Sequence, residues 1–250
     1  MSPLAPLLLR ARPVLAGALL ALALPAGGMA DGPRAVVELF TSEGCASCPA
    51  ADSLLASLAD DSETLALSYH VDYWDYLGWK DTLATPENSQ RQAAYAEARG
   101  DRAVYTPQLV VNGTVPVVGG NAAAVRTAIA GATKALPVPV SIARGAEAIT
   151  IHIGAAPDDL AEHTATVFIA VVESRHEVTP GRGENAGRPI VYRNVVRQMQ
   201  PIGMWKGQDM TIDLPLSDYG KAGCTVLLQV DRDGRPGAIL GAARLLHHQS

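Results

Sequence analysis

Apolar positions along this chain recur at two periods, and each change of period marks an element. Residues 35–40 (AVVELF) are apolar and rich in Val, Leu and Phe, the composition of a buried strand. A polar turn follows at 41–44, then Cys45-Ala46-Ser47-Cys48-Pro49. Beyond it Ala51, Leu54, Leu55 and Leu58 fall at i, i+3, i+4 and i+7, one face of a helix. Pro49 has a fixed φ and no N–H, so among helical positions it suits the first turn. The two cysteines therefore sit where a strand hands over to a helix. Residues 64–71 alternate as a second strand, and Thr85-Pro86-Glu87 reads as N-cap, N1 and a first-turn acid of a helix that stops near Gly100. A strand at 108–111, an Asn112-Gly113 turn and a strand at 115–118 predict a hairpin. Asn121 then caps a helix with Val125, Ala128, Ile129 and Ala132 on one face. The predicted order is β-α-β-(helix)-β-β-α, the first two strands parallel and the last two antiparallel.

The character changes at Ala135-Leu136-Pro137-Val138-Pro139, which reads as a linker. Strand-like runs follow at 138–143, 148–153, 165–172, 190–196, 210–214, 225–230 and 238–245, with an Asp233-Gly234 turn between the last two. Short strands at this spacing predict a mainly β, sandwich-like C-terminal domain over 136–250. The expected organisation is a targeting segment at 1–30, an α/β domain at 31–135 and the β domain.

The first thirty residues carry Arg10 and Arg12, an apolar run at 14–24, and Gly28-Met29-Ala30 as a cleavage site. That is the layout of a signal peptide, with a run shorter than the roughly 20 residues a bilayer span needs. The expectation is export to the periplasm or the medium, with no membrane attachment after cleavage. The segment contains no acid, so its loss makes the remainder more acidic than the −5 of the whole chain. An acidic chain without a basic block offers nothing to nucleic acid.

Of three cysteines, 45 and 48 form a close pair and 224 stands alone. A C-x-x-C at a helix start has a physical logic. Unpaired N–H groups and the positive end of the helix dipole favour a thiolate there, and two intervening residues let one sulfur reach the other within a turn. Cys45 is assigned as nucleophile and Cys48 as resolving thiol. A structural disulfide, zinc, and Cu(I) with His70 as third ligand compete with this reading. Zinc is disfavoured because its structural sites take four ligands and no second C-x-x-C occurs, while copper suits soft thiolates. Redox chemistry leads, with no cofactor and no resident metal. Thr106-Pro107 directly precedes an apolar strand, where an X–Pro bond can be cis and the Thr106 backbone can hold a thiol-bearing partner beside the sulfurs. Cys224 opens an apolar strand and reads as a small buried hydrophobe.

V-V-E-L-F-T-S-E-G-C-A-S-C-P-A-A-D, Y-H-V-D-Y-W-D-Y-L-G-W-K-D and Y-T-P-Q-L-V-V-N-G, with G-E-N-A-G-R and N-V-V-R further on, resemble the secreted thioredoxin-like proteins of the domain of unknown function 1223 family. The resemblance covers nearly the whole chain after residue 30. It implies a thioredoxin-like fold over 31–135 and a disulfide-prone pair, and it implies no substrate. The stretch T-P-Q-L-V-V-N-G followed by G-G-N is also similar to the glutathione-holding end of glutaredoxins, on which Gly119, Gly120 and Asn121 would receive a carboxylate at a helix N-terminus. No acidic pair follows these glycines and no Lys or Arg directly precedes Cys45, so a plain turn is the stronger reading.

His70 and Asp72 end the second strand, where one could serve as proton acceptor when Cys48 attacks a mixed disulfide, although a half-buried, hydrogen-bonded strand-end His is the plainer reading. Trp74, Tyr76 and Trp79 form either an apolar platform for an unfolded partner or a lid on the core. Arg182, Arg188, Arg193 and Arg197 surround a Gly-rich stretch with Glu184 and Asn185, which reads as a solvated hairpin with internal ion pairs, with a docking loop for an acidic group as the alternative. The expected activity is thiol–disulfide exchange with exported proteins or small thiols. The alternatives are a non-catalytic binding module with a structural disulfide and a Cu(I)-handling protein. Access separates the first two: an exposed Cys45 favours exchange, and sulfurs covered by Trp74 or Trp79 favour the module.

Overall fold

A computed structural model describes residues 32–132, 136–219 and 223–245. The targeting segment expected at 1–30 lies outside them. Strand β1 (Ala35–Thr41) pairs in parallel with β2 (Thr64–His70), and helix α1 (Cys48–Ala59) connects them. Helix α2 (Pro86–Arg99) begins where Thr85 accepts from the Asn88 N–H and ends at Gly100, which takes a positive φ. Strands β3 (Gln108–Val111) and β4 (Val115–Val118) form the expected hairpin, and β3 runs antiparallel to β1. Asn121 caps α3 (Ala122–Gly131) by accepting from the Ala124 N–H. A 3-10 turn at Asp75–Leu77 lies in the aromatic stretch before α2.

The second half supplies β5 (Val140–Arg144), β6 (Ala148–Ile153), β7 (Ala165–Val178), β8 (Ile190–Trp205), β9 (Met210–Pro215), a short α4 (Leu216–Tyr219), β10 (Gly223–Arg232) and β11 (Arg235–Leu245). Strands β7 and β8 are longer than their apolar runs, because the polar stretch from Glu173 to Val178 stays paired with residues 190–195. Pro201 pairs with Phe168 beside a register shift that leaves Ile202 without a partner, a bulge of the kind at which proline is tolerated inside a sheet.

The sheets do not divide at the expected linker. One eight-stranded sheet runs β11-β10-β7-β8-β2-β1-β3-β4, with β5-β6-β9 as a separate three-stranded sheet. The seam is the parallel pairing of Ser68 with Val195, reinforced by Asn194, whose Nδ2 donates to the Ala66 carbonyl at 2.9 Å. Val36, Phe40, Leu65 and Tyr69 of the first half pack in one core with Val172, Val196, Leu227 and Ile239 of the second. Val138, within the expected linker, is buried and donates its N–H to the Leu240 carbonyl. The separate domains expected at 31–135 and 136–250 are thus one mixed α/β unit from Gly32 onward. The reason is that the exposed edge of β2 is paired by β8.

A buried polar network crosses the same seam. Glu38, Arg91, Tyr95 and Gln229 come from β1, α2, α2 and β10. Arg91 donates to Glu38 at 2.8 Å and to Gln229 at 2.8 Å, Tyr95 donates to Glu38 at 2.5 Å, and the Gln229 amide donates to the Tyr95 oxygen at 2.7 Å. Beside it Gly113 (φ +73°) has no room for a side chain, since a Cβ there would overlap the Gly237 carbonyl oxygen. The β5-β6-β9 sheet packs Ile149, Ile151 and Ile153 against Val167, Ile169, Trp205 and Val226 of the large sheet. No helix among the described residues is long and apolar enough to cross a membrane.

Candidate functional site

Strand period places the site. β1 is buried on both faces: Ala35, Val37 and Leu39 pack on the α1 side, and Val36 and Phe40 on the α2 side. Continuing the alternation puts Thr41 on the α1 side, and the register pairs it with His70 of β2. Asp52 of α1 meets them there, with Thr41 Oγ1 donating to its Oδ1 at 2.7 Å. Asp52 stands four residues after Cys48, the spacing that puts two side chains on one helix face.

Cys45 and Cys48 are joined as a disulfide with Cα atoms 5.4 Å apart. The helix starts at Cys48, with Pro49 in its first turn, so Cys45 lies in the preceding turn and not at the first helical position. Two successive turn bonds, Cys45 N–H to the Ser42 carbonyl and Cys48 N–H to the Cys45 carbonyl, shape that approach. Cys45 is 3 % exposed and Cys48 fully buried, while Ala46 and Ser47 are exposed.

Beneath the turn lies a buried polar cluster. His70 Nδ1 stands 2.9 Å and 3.1 Å from the two oxygens of Asp81, so Nδ1–H donates to that carboxylate. Asp81 also accepts from the N–H groups of Glu43, Leu83 and Ala84. Glu43 accepts from Trp79 Nε1 at 2.5 Å and from both the hydroxyl and the N–H of Thr82. The rings of His70 and Tyr192 stand nearly perpendicular, with centroids 4.3 Å apart. Asp52 Oδ2, His70 Nε2 and the Tyr192 hydroxyl are buried with no hydrogen-bond partner.

Burial pushes the Asp52 carboxyl up to about 7, against the Thr41 hydroxyl and His70, which favour its ionised form. Glu43 is also raised, by burial first and then by the charge of Asp81. Burial works on Asp81 in the same direction, but His70 and the backbone N–H groups outweigh it and hold its carboxyl below the usual range.

One ligand atom each from Glu43, His70 and Asp81 lie within 4.8 Å of one another, a spacing a cation could bridge. The carboxylate oxygens of that group are already occupied by Trp79, Thr82, His70 and three backbone donors. The donor set fits a hydrogen-bond network better than a metal. Among the described residues this group contains His70 but neither cysteine.

The peptide bond Thr106–Pro107 is cis. Trp74 links this segment to the cysteine turn: its Nε1 donates to Thr106 Oγ1 at 2.7 Å, and its Cβ would lie 3.3 Å from a Cβ on Gly44. Gly119 donates its N–H to the Pro107 carbonyl, and a Cβ on it would come within 3.2 Å of both Ala51 and Pro107. Close packing of α1 on that loop therefore accounts for Gly119, and capping of α3 for Asn121; Gly120 is open. Asp72 does not join the cluster, because Ser89 at the start of α2 donates to it at 2.5 Å. Cys224 is buried, and burial pushes its thiol up to about 11. Arg193 pairs with Asp60 and Arg197 with Glu173, whereas Arg182 and Arg188 are exposed and make no ion pair among the described residues.

Of the residues expected from the sequence, Cys45 and Cys48 form the disulfide, His70 lies in the buried cluster, and Thr106 is tied to the cysteine turn through Trp74. Glu43, Asp52, Asp81 and Tyr192 are not among them, and Asn185 enters the sequence reading only as part of the Gly-rich loop. Only Asp52 left a signal, an acid at the edge of the apolar arc of α1, next to Ala59. A groove of about 720 Å³ opens on the other face of the sheet, lined by Tyr69, Arg91, Phe168, Arg197 and Met199.

The chain was compared with known proteins. No curated protein matches it. The crystal structure of protein AGR_C_4864 from Agrobacterium tumefaciens is similar at 38 % identity over 88 % of this chain and 97 % of that one, with a TM-score of 0.78. A β-glucosidase from Kluyveromyces marxianus aligns over 43 % of this chain and 13 % of its own at 12 % identity, with a TM-score of 0.21, a likeness that carries no argument. A family of proteins of unknown function, DUF1223, matches residues 36–230, and the chain belongs to that family.

Proposed function

We propose that this protein is exported, that its first half is a thioredoxin-like unit, and that Cys45 and Cys48 exchange disulfides with exported proteins or small thiols. The strand order β2-β1-β3-β4, with a parallel first pair and an antiparallel last pair, supports the fold reading. One observation carries the chemistry: the disulfide closes the turn into α1 directly ahead of a buried carboxyl with an unpartnered oxygen, Asp52. A disulfide closing so short a loop stabilises the fold by only about 2 kcal/mol in the chain-entropy account. An acid buried at that place costs more than this, so the arrangement favours reactivity over stability.

In the exchange, a partner thiolate attacks Cys45 Sγ. The Cys45–Cys48 bond breaks as the new S–S bond forms, and the Cys48 sulfur leaves with the electron pair and takes the Asp52 proton. A second partner thiolate then attacks the partner sulfur of the mixed disulfide and releases Cys45 as thiolate. The partner is oxidised by two electrons and the pair is reduced by two. In the reverse direction Asp52 accepts the Cys48 proton.

Burial of both sulfurs favours a second reading, a binding module with a closed disulfide. Trapping separates the two. Cys48→Ser is expected to accumulate mixed disulfides with added thiol–disulfide partners, and Cys45→Ser to accumulate none. Exchange retained in Cys45→Ser would sink the proposal.

A further inference from the structure

The segment 179–189 joins β7 to β8 and reaches back onto the cysteine turn, 140 residues away in sequence. Asn185, 4 % exposed, donates from one nitrogen to two backbone carbonyls, that of Glu43 at 2.9 Å and that of Cys45 at 3.0 Å. A primary amide supplies two N–H bonds from one atom and so can hold two carbonyls at once. The segment is fixed in turn. Gly187 donates its N–H to the Pro180 carbonyl, and Trp79, whose ring nitrogen binds Glu43, packs against Gly181 and Gly183. The carbonyl of Cys45 also accepts the Cys48 N–H, so Asn185 grips the peptide that sets the distance between the two sulfurs.

We propose that the second half of the chain tunes the cysteine pair, with Asn185 as its positioning residue. The proposal rests on the exchange reading above. A turn held at both carbonyls keeps one sulfur at high effective concentration near the other, which favours closure of the disulfide. When the amide is lost, the reduced turn samples conformations from which it does not close.

The test is the redox midpoint of the full chain in glutathione buffers, read by thiol trapping, for the wild type, Asn185→Ala, the isosteric Asn185→Asp, and Arg188→Ala as an exposed control on the same segment. Asn185→Ala and Asn185→Asp are expected to lower the equilibrium constant for disulfide formation about tenfold, equal to about 30 mV toward less negative values for a two-electron couple. Arg188→Ala is expected to leave it unchanged. A merely structural amide would lower the melting temperatures of oxidised and reduced protein equally and leave the midpoint where it was, and that outcome overturns the proposal. Should Asn185→Ala not fold, Asn185→Asp carries the test, since it keeps the shape and removes both donors. If the wild-type pair does not exchange with glutathione while folded, the exchange reading fails. The role of Asn185 is then read from the gap in unfolding free energy between oxidised and reduced protein. That gap narrows by about 1.4 kcal/mol, the same tenfold factor converted, if the proposal holds and stays constant if it does not.

Discussion

The substitution Asp52→Asn is expected to stabilise the protein above pH 7 while slowing its chemistry. The acid's pKa is about 7 in the folded protein against an ordinary 3.8. Between those values the folded state keeps a proton that the unfolded chain has released, so stability falls as pH rises through that window and is flat above it. The full cost is up to about 4 kcal/mol for one group shifted that far. An asparagine side chain has the same shape, accepts the Thr41 hydroxyl through its oxygen and cannot ionise. The difference in unfolding free energy between variant and wild type should therefore grow from near zero at pH 4 to a plateau above pH 7. Taking the difference also cancels Asp81, whose lowered pKa acts with the opposite sign at more acidic pH. If Asp52 passes the Cys48 proton, exchange should slow about 10- to 100-fold at pH 7, and the loss should shrink toward the ordinary thiol range near 8.5. Gained stability with lost exchange marks a group kept for chemistry. Unchanged exchange would remove Asp52 from the mechanism, and a flat difference with pH would remove its burial as the cause.

Arg91→Met is expected to cost about 3–5 kcal/mol, the effect of leaving one partner of a buried ion pair uncompensated. The partner is Glu38, fully buried in the centre of β1, and Arg91 also ties Tyr95 and Gln229 across the seam between the two halves. Chemical denaturation with fluorescence and circular dichroism should show one lowered midpoint shared by both probes, because the sheet is continuous. Two separated transitions would mean that the halves unfold independently and that the seam is weaker than its packing implies. The double variant Glu38→Leu with Arg91→Met should recover much of the loss, since no buried charge is then left alone.

The local elements were legible because their signals are local. Thr85-Pro86 opens α2, Asn112-Gly113 turns the β3–β4 hairpin and Asn121 caps α3, each through bonds within a few residues. The near-continuous apolar run of β1 also marked a strand covered on both faces, whereas the alternation read in β2 did not show that β2 is covered on both faces as well. The expected domain boundary failed because composition cannot show that β8 pairs with β2, a parallel contact resting on Ser68 and Val195. Within the site, the C-x-x-C and Thr106-Pro107 carry recognisable spacing. Asp81 does not: it sits in an aperiodic stretch and is assigned to His70 only by the path of the chain between β2 and α2. Asn185 lies in a loop that reads as solvated, and most of its neighbours are exposed, so its grip on Cys45 was invisible without the fold.

If Cys45 and Cys48 exchange with partners, their disulfide opens in the folded protein and does more than staple the turn. The reduction potential of the Cys45–Cys48 pair in the folded chain, from free thiols trapped across glutathione buffers, tests it most directly. A value between about −120 and −270 mV, the span of working exchange proteins, is expected. A value below about −300 mV, or sulfurs that exchange only after unfolding, would contradict the exchange and leave a structural disulfide.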